Sequence, residues 1–331
     1  MTTFSRTARA HANIALIKYW GKRDIPLNLP AVGSISLTLE ALATTTTVTF
    51  RSGLSTDSLQ LNGIEANEKQ RRRASEFLNR IRRLAEIDIH AEIISSNNFP
   101  TGAGLASSAS GFAALTVAAA SAAGLDLSSA KLSELSRLGS GSAARSIYGG
   151  FVEMHLGSEA DGSDSIATQI QTEDYWPLEL LILITSDEHK KIGSTEGMNR
   201  TAETSPYYQQ WVDTGPNDIA AMHKIIAAKD FTQLGELTEY SCLKMHALAM
   251  AANPGIIYWN PLTMQLINAV RELREAGLES YFTIDAGPQV KVICQPQDSH
   301  RLKQELEKIN GIKSILHTKI GGPAQIIANN S

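Results

Sequence analysis

Cysteine is scarce in this 331-residue chain, which contains only Cys242 and Cys294. Because these two residues lie far apart and have no cysteine or histidine partners at ligand spacing, neither a disulfide framework nor a zinc site is indicated. Long apolar runs are also missing, since the longest, residues 178–184, is much too short to span a membrane. The opening residues 1–9 hold no apolar segment typical of a secretion signal. We therefore expect a cytoplasmic protein that does not enter a membrane.

Charge of one sign is not in excess either, because 30 Lys and Arg residues face 34 Asp and Glu residues, and the formal net charge is -4. Such a chain has no overall field to attract nucleic acid or an anionic membrane. At ~150 residues per domain, the length predicts two domains. A polar stretch over residues 186–205 is either a domain junction or a substrate loop. We place the boundary there, which gives domains at 1–186 and 187–331.

Hydrophobic periodicity predicts a mixed α+β fold. A β-branched run over residues 44–50 indicates a strand, and Asn62-Gly63 is typical of a hairpin turn. Further strands are predicted near residues 59–61, 89–94, 178–185, 281–284, 290–294 and 312–317. Helices are predicted near residues 69–86, 107–123, 128–138, 218–228, 231–251, 262–273 and 302–309. The last segments follow the order β-β-α-β after a helix, which indicates a two-layer α+β domain.

The predicted helix at 69–86 is strongly basic. Its basic residues are Lys69, Arg71, Arg72, Arg73, Arg80, Arg82 and Arg83. A nucleic-acid-binding protein would place such residues against phosphates, and its binding would weaken steeply with salt. No aromatic stacking platform or reading motif accompanies the charge, so a solvated helix face is the preferred interpretation. We expect no nucleic-acid partner.

A glycine-rich loop precedes the predicted helix at 107–123. It places Gly102 and Gly104, then Ser107 and Ser108, at the helix start. Glycines let backbone N–H groups approach an anion, the helix N-terminus adds partial positive charge, and hydroxyls donate to phosphate oxygens or bind Mg²⁺. The loop lacks the lysine of a Walker A motif and the third glycine of the dinucleotide fingerprint. Tight helix packing through small residues is the alternative, and spacing alone does not decide between them.

A second small-residue loop covers residues 139–150. Gly139, Gly141 and Ala144 satisfy the loose dinucleotide fingerprint of a Rossmann-type oxidoreductase. They follow a helical segment instead of a strand, which disfavours that interpretation. An oxidoreductase would bind a nicotinamide and form no ADP. No paired histidine spacing indicates a metal site, and Ser107 and Ser108 lack the context of a hydrolase nucleophile.

The loop at 100–109 resembles the phosphate-binding motif of the GHMP kinase superfamily. Other segments are similar to the mevalonate diphosphate decarboxylase family within it, and they occur in family order. They are Ala-Asn-Ile-Ala-Leu-Ile-Lys-Tyr-Trp-Gly-Lys-Arg-Asp at 12–24 with Leu-Asn-Leu-Pro at 27–30, the run at 140–150, Ser-Thr-Glu-Gly-Met at 194–198, and Thr-Ile-Asp-Ala-Gly-Pro at 283–288. The resemblance therefore covers essentially the whole chain.

This resemblance implies the α+β GHMP kinase fold. Its N-terminal half resembles ribosomal protein S5, its C-terminal half is ferredoxin-like, and the active site lies in the cleft between them. The implied reaction uses ATP to phosphorylate the 3-hydroxyl of mevalonate 5-diphosphate, then releases phosphate and CO₂ to give isopentenyl diphosphate. ATP and Mg²⁺ are the only cofactors implied, and a homodimer is expected by analogy. A phosphomevalonate decarboxylase or a mevalonate 3-kinase type of enzyme is the alternative.

Three catalytic roles follow from the matched motifs. The resemblance implies that Asp285 removes the proton of the tertiary alcohol, that Arg145 binds the substrate carboxylate, and that Lys18 stabilises developing negative charge. By local context alone, Asp285 would cap a turn before Gly287-Pro288, and the two cations would be solvated.

The resemblance also implies two binding sets. Substrate-binding residues are Tyr19, Lys22, Ser140, Gly141, Ser142, Arg145 and Ser194. Residues for the ATP phosphates and Mg²⁺ are Asn97, Gly102, Gly104, Leu105, Ala106, Ser107 and Ser108. The chain departs from the family pattern at Thr195, where some relatives carry a basic residue, at Gln289, where asparagine is usual, and at Gly193, where serine is frequent. The change at 195 removes one possible diphosphate contact.

Overall fold

Two large β-sheets, a two-stranded ribbon and eight α-helices make up the described residues. The structure is a computed structural model, and it describes residues 3–99, 105–186, 188 and 190–327. The strands are β1 Thr3–Ile17, β2 Lys22–Asp24, β3 Leu29–Pro30, β4 Ser34–Arg51, β5 Ser58–Leu61, β6 Ile64–Glu65, β7 Ala91–Asn97, β8 Phe151–Met154, β9 Ala167–Gln171, β10 Glu179–Ile184, β11 Ser280–Thr283, β12 Val290–Cys294, β13 Ser314–Lys319 and β14 Gln325–Ile327. The helices are α1 Glu68–Ala85, α2 Ser107–Ala122, α3 Ser129–Gly139, α4 Ser194–Thr204, α5 Tyr208–Ala228, α6 Phe231–Met250, α7 Pro261–Glu275 and α8 Pro296–Glu307, and Gly141–Ile147 forms a 3₁₀ helix.

The larger sheet is built around the long antiparallel pair of β1 and β4. The order across it is β14-β1-β4-β7-β5-β6, and β8 and β9 extend it from β4. The predicted strand at 44–50 is confirmed as the second half of β4. Helices α1 and α2 cover one face, and small buried residues of α2 such as Ala114 and Ala118 share a cluster with Ala10 of β1. Small side chains let this helix lie close to the sheet, and the Ser110 hydroxyl near its start lies 2.6 Å from the Thr44 hydroxyl of β4.

The smaller sheet has the order β11-β12-β10-β13 and is antiparallel throughout. One face packs on α7 and α8 through Leu181 of β10, Leu266 and Leu302. Strand β10 belongs to this sheet although it lies before residue 186, while β14 returns to the larger sheet. The predicted domain boundary at residue 186 stays a prediction.

The two sheets share one hydrophobic core. Leu180 and Ile182 on the other face of β10 lie in the same buried cluster as Ile14 of β1 and Leu37 of β4. Burial of this apolar area is the main force that holds the two halves together. It brings the carboxyl end of β1 against the carboxyl end of β11, where the chain continues into polar residues.

The predicted helices are largely confirmed, with two errors in the middle of the chain. The stretch at 186–205 contains helix α4, which its polar composition concealed. Helix α5 begins at Tyr208, ten residues before the predicted start at 218, and continues through Pro216. Gly215 beside that proline packs closely against Val32, so tertiary contact offsets the helix-breaking pair. In the described ranges, no helix is long and apolar enough to cross a membrane.

Candidate active site

A cavity of about 910 Å³ opens where the ends of β1 and β11 meet the first turns of α2 and α4. Its polar lining residues are Asn13, Lys18, Tyr19, Lys22, Asn28, Lys69, Arg73, Ser107, Ser108, Ser140, Ser142, Arg145, Lys190, Ser194, Thr195, Glu196, Asn199 and Asp285. Six of these side chains are Lys or Arg, against two carboxylates. In a chain of net charge -4, this concentration of positive charge is local, and it suits a polyanionic ligand.

An ion pair joins the two strand ends. The Lys18 Nζ atom lies 2.7 Å from Oδ1 of Asp285, and the lysine side chain is fully buried. Helix α6 holds both partners, because the Ser241 hydroxyl accepts from the Lys18 backbone N–H, and the Cys242 thiol accepts from the N–H of Ile284. Because the backbone is fixed on both sides, the Asp285 carboxylate is kept in place. The Asp285 side chain is still 28 % exposed, toward the cavity.

Asp285 is kept ionised by its neighbours. Burial by itself would raise the pKa of this carboxyl, but the charges of Lys18, Lys291 and Arg145 outweigh it and bring the pKa below its usual value. A hydrogen bond from Lys18 acts in the same direction. Asp285 is therefore a carboxylate at neutral pH, and it can accept a proton.

Arg145 lies in the 3₁₀ helix and is buried, at 2 % exposure. Its guanidinium donates to the Asn13 side-chain oxygen at 3.0 Å and to the hydroxyls of Ser34 at 2.6 Å and Ser36 at 3.0 Å. All three acceptors are neutral, and in the described part of the chain no carboxylate pairs with this arginine. Burial lowers the pKa of Arg145 to about 10, so the side chain is charged at neutral pH. Its charge is therefore available to an anionic ligand.

A second group of cations lies at the α1 side of the cavity. Arg73 donates to the Gly139 carbonyl at 2.7 Å and lies 4.5 Å over the Phe112 ring, while Lys22 donates to Asn28 at 2.6 Å. Burial, and then repulsion by Arg73, lowers the pKa of Lys22. Lys69 on the same helix also lines the cavity. Lys69 and Arg73 are therefore exposed, as expected for a solvated helix face, but they also border the cavity.

The first turn of α2 borders the cavity and suits a phosphate. Ala106, the residue before the helix, has a left-handed backbone, and its methyl side chain cannot accept a capping hydrogen bond. The backbone N–H groups and the dipole of a helix N-terminus favour an anion. Ser107 and Ser108 line the cavity beside it. The predicted nucleotide residues Gly102 and Gly104 lie outside the described residues.

The structure brings together most of the predicted site residues. Those that line the cavity are Lys18, Tyr19, Lys22, Leu105, Ala106, Ser107, Ser108, Ser140, Gly141, Ser142, Arg145, Ser194 and Asp285. Asn97 is not among them. It lies at the end of β7, where its side-chain oxygen accepts from the Thr44 hydroxyl at 2.6 Å. The roles of these residues stay predictions.

Comparisons with known proteins agree with this geometry. Residues 10–167 match the family described as the diphosphomevalonate decarboxylase-like N-terminal domain. Residues 180–326 match the mevalonate 5-diphosphate decarboxylase C-terminal domain. The chain belongs to the diphosphomevalonate decarboxylase family.

Individual relatives of this family span nearly the whole chain. The diphosphomevalonate decarboxylase of Danio rerio is 41% identical over 88% of this chain and 76% of its own length. A solved structure described as MDDEF in complex with MVAPP, AMPPCP and magnesium is 43% identical, with a TM-score of 0.93, over 98% of this chain and 99% of that one. The mevalonate diphosphate decarboxylase from Enterococcus faecalis has a TM-score of 0.92 at 42% identity, with the same coverage.

These likenesses confirm the predicted α+β fold of the GHMP kinase type, because they extend over nearly all of the chain. The Rossmann alternative is wrong. Gly139 ends helix α3 and Gly141 begins the 3₁₀ helix, so neither follows a strand.

Two lysines near the Asp285 carboxylate were not predicted as site residues. Lys190 donates to the Ser194 hydroxyl at 2.8 Å and to the Ala286 carbonyl at 3.3 Å, so it ties α4 to the Asp285 segment. Its place just before the family-like segment at 194–198 is a signal that could have indicated it. Lys291 interrupts an otherwise apolar strand, and only the pairing of β11 with β12 brings it near Asp285.

The departures from the family pattern have different surroundings. Gln289 lies away from the cavity, where it accepts from the Thr185 N–H and donates to the Ser186 carbonyl. It therefore holds the end of β10. Thr195 and Gly193 do line the cavity. Thr195 adds a hydroxyl there but no charge.

Proposed function

We propose that this chain catalyses the ATP-dependent decarboxylation of mevalonate 5-diphosphate to isopentenyl diphosphate. The observation that carries the proposal is the ionised Asp285, paired with Lys18 and facing a cavity that also holds the charged Arg145, which no described carboxylate bonds directly. Family membership over both halves of the chain supports the same reaction. The alternative is a sister activity, either on the monophosphate or with phosphorylation of mevalonate alone.

Asp285 acts as the general base in this scheme. A tertiary 3-hydroxyl is a weak nucleophile, and a carboxylate within hydrogen-bond distance removes its proton as the oxygen attacks the γ-phosphorus and ADP leaves. Lys18 holds that carboxylate in one orientation and stabilises the negative charge that spreads over the transferring group.

Arg145 binds the substrate carboxylate and keeps it still. Its planar guanidinium suits two parallel hydrogen bonds to a carboxylate, and its three neutral protein partners fix its plane. When phosphate leaves with the electron pair of the C3–O bond, the C1–C2 bond breaks. Its electrons form the C2=C3 double bond as CO₂ departs. The developing positive charge at C3 accepts those electrons, so the protein has only to orient the groups and exclude water.

The nucleotide phosphates fit the first turn of α2. Ser107 and Ser108 supply hydroxyls and the N-terminal turn of the helix supplies backbone N–H groups. Mg²⁺, when bound there, neutralises phosphate charge during the transfer. Burial lowers the pKa of Lys190 and Asp285 only partly offsets this shift. Lys190 adds a cation next to the Asp285 segment, where it donates to the Ala286 carbonyl.

The diphosphate tail fits the α1 side of the cavity. Lys22, Lys69 and Arg73 converge there beside the hydroxyls of Ser140 and Ser142. Three cations suit the charge of a diphosphate better than that of a monophosphate. This arrangement favours the diphosphate as substrate although Thr195 contributes no charge.

Replacing Arg73 with methionine is expected to raise KM for mevalonate 5-diphosphate by about 10- to 100-fold, since a charge-assisted hydrogen bond contributes about 1.5–3 kcal/mol. The kcat value is expected to change little, because Arg73 is not among the charges that act on the Asp285 carboxylate. Steady-state kinetics at fixed saturating Mg-ATP measure both. Arg72→Met is the matched control, because Arg72 is exposed and pairs with Glu76 on the outer face of α1. Equal KM values for the two variants would exclude Arg73 from substrate binding.

Measurement of ADP and CO₂ tests the proposed reaction. The enzyme is given Mg-ATP with mevalonate, its 5-phosphate or its 5-diphosphate in separate reactions. We expect equal amounts of ADP and CO₂ with the diphosphate alone. Preference for the monophosphate would assign the sister decarboxylase, and ADP without CO₂ would assign a kinase. No turnover with any of the three would overturn the proposal.

A cytoplasmic location and a homodimer complete the proposal. Both cysteines are buried free thiols, which is compatible with a reducing compartment. The homodimer rests on the resemblance to the family. Light scattering coupled to size-exclusion chromatography measures its mass, and a single species of 35.8 kDa would contradict it.

A further inference from the structure

The two oxygens of the Asp285 carboxylate face different ammonium groups. Oδ1 lies 2.7 Å from Nζ of Lys18, and Oδ2 lies 4.0 Å from Nζ of Lys291. Lys18 lines the cavity, whereas Lys291 is not among the lining residues. Both side chains are almost completely buried, at 0 % exposure for Lys18 and 3 % for Lys291, so the contribution of Lys18 to the cavity lining is what distinguishes them.

The position of Lys291 within the fold makes its charge unusual. It lies in the middle of β12, where its neighbours Val290, Val292 and Ile293 are completely buried. The lysine side chain itself is 3 % exposed. Desolvation of an ammonium is costly, and an apolar side chain of similar volume would fill such a place without that cost. A buried cation beside the catalytic carboxylate therefore indicates a function for its charge.

Lys18 has two roles in the proposed reaction. It neutralises Asp285 before the reaction, and it faces the phosphoryl group during the transfer. Because one ammonium cannot compensate both anions fully, Asp285 needs a second cation that is not part of the cavity lining. We propose that Lys291 is a positioning residue, which keeps the Asp285 carboxylate charged and in place while Lys18 interacts with the transferring phosphoryl group. This inference rests on the proposed function.

The charged and titratable groups around this pair come from several elements. They are Lys18 after β1, Arg145 in the 3₁₀ helix, Lys190 before α4, and Cys242 and His246 on α6. Burial lowers the pKa of His246 to about 3 and raises that of Cys242 to about 11, so both are neutral at neutral pH. Burial lowers the pKa of Lys291 to about 8, and Asp285 opposes this shift. Lys291 is therefore mostly charged at pH 7.

The pH dependence of kcat tests this role, because the acid limb of that profile reports the ionisation of the base in the substrate complex. Removing a neighbouring positive charge disfavours the carboxylate, so its pKa rises. In Lys291→Met we expect the acid limb to move to higher pH by about 1 to 3 units, while KM for both substrates stays within about threefold. Lys319→Met, which removes an exposed lysine from β13 of the same sheet, should keep the wild-type profile.

Charge and packing are separated by a third variant. Lys291→Arg keeps the positive charge and should keep the wild-type acid limb even if its kcat is lower. An unshifted acid limb in folded Lys291→Met would overturn the proposal. An equal shift in Lys291→Arg and Lys291→Met would overturn it as well, since packing would then be the cause. If Lys291→Met does not fold, Lys291→Gln supplies the neutral side chain. An unshifted acid limb in Lys291→Gln, or a shift equal to that of Lys291→Arg, would then overturn the proposal.

Turnover of the wild-type enzyme distinguishes a failure of this proposal from a failure of the proposed function. Stoichiometric ADP and CO₂ from wild type with mevalonate 5-diphosphate must be obtained first. Absence of that turnover would contradict the proposed function. An unchanged acid limb in the variants of an active enzyme would contradict only the role of Lys291.

Discussion

Asp285→Asn is expected to reduce kcat by at least about 10³-fold, since a positioned general base contributes about 10² to 10⁴ to the rate and the amide also lacks the charge that orients Lys18. Asparagine has nearly the same shape, so binding of both substrates should persist. Single-turnover measurements of ADP and CO₂, together with calorimetric affinities for mevalonate 5-diphosphate, would show the two effects separately.

A second Asp–Lys pair in the same chain provides the control for this variant. Asp218 on α5 pairs with Lys244 on α6 at 2.5 Å, and both are largely buried outside the cavity. Asp218→Asn therefore removes a comparable ion pair without touching the reaction, and its kcat should stay within about threefold of wild type. Turnover of Asp285→Asn close to that of Asp218→Asn would exclude Asp285 as the base.

Arg145→Lys is expected to lower kcat/KM by about 10²- to 10³-fold. A lysine keeps the charge but cannot make two parallel hydrogen bonds to a carboxylate, and it cannot donate at once to Asn13, Ser34 and Ser36. The substrate carboxylate is then less well fixed, and misplacement by about 1 Å is sufficient for a loss of about 10²-fold. Initial rates of CO₂ release against substrate concentration measure the change.

Arg137 provides the control for Arg145→Lys, because it is a buried arginine outside the cavity lining. It is 1 % exposed, and its guanidinium donates to the carbonyls of Leu27, Gly162 and Ser165 outside the cavity lining. Arg137→Lys should lower Tm while kcat/KM of the folded protein stays within about threefold. If Arg145→Lys lowered Tm and left kcat/KM unchanged in the same way, its role would be structural and not in substrate binding.

Local sequence was sufficient for most elements of the fold. Amphipathic spacing over 69–86 corresponds to α1, and the β-branched run at 44–50 lies within β4. These signals are local, because the period of buried residues along the chain follows from helix or strand geometry. Helix α4 was missed because its buried residues are few and its composition is polar. The early start of α5 was missed because Pro216 is accommodated by tertiary packing.

For the site, the motifs identified the residues that bear the chemistry. Asp285, Lys18 and Arg145 were all predicted, and the structure brings them to one cavity. Each of these residues lies in a short motif of glycine, serine and charged residues. The resemblance of these motifs to those of a known family was sufficient to identify the three residues. Asn97 was predicted as well, but it lies at the end of β7, where its side chain is hydrogen-bonded to Thr44, and it does not line the cavity.

Tertiary structure alone decided which other charges belong to the site. Arg72 and Arg73 are adjacent in a basic run, yet one pairs with Glu76 on the surface and the other lines the cavity. Lys291 looks like a single polar residue in a strand until β12 pairs with β11 and places it 4.0 Å from Asp285. Electrostatic energy depends on distance and on burial. Both quantities are set by the packing of the two sheets, which no local pattern of residues contains.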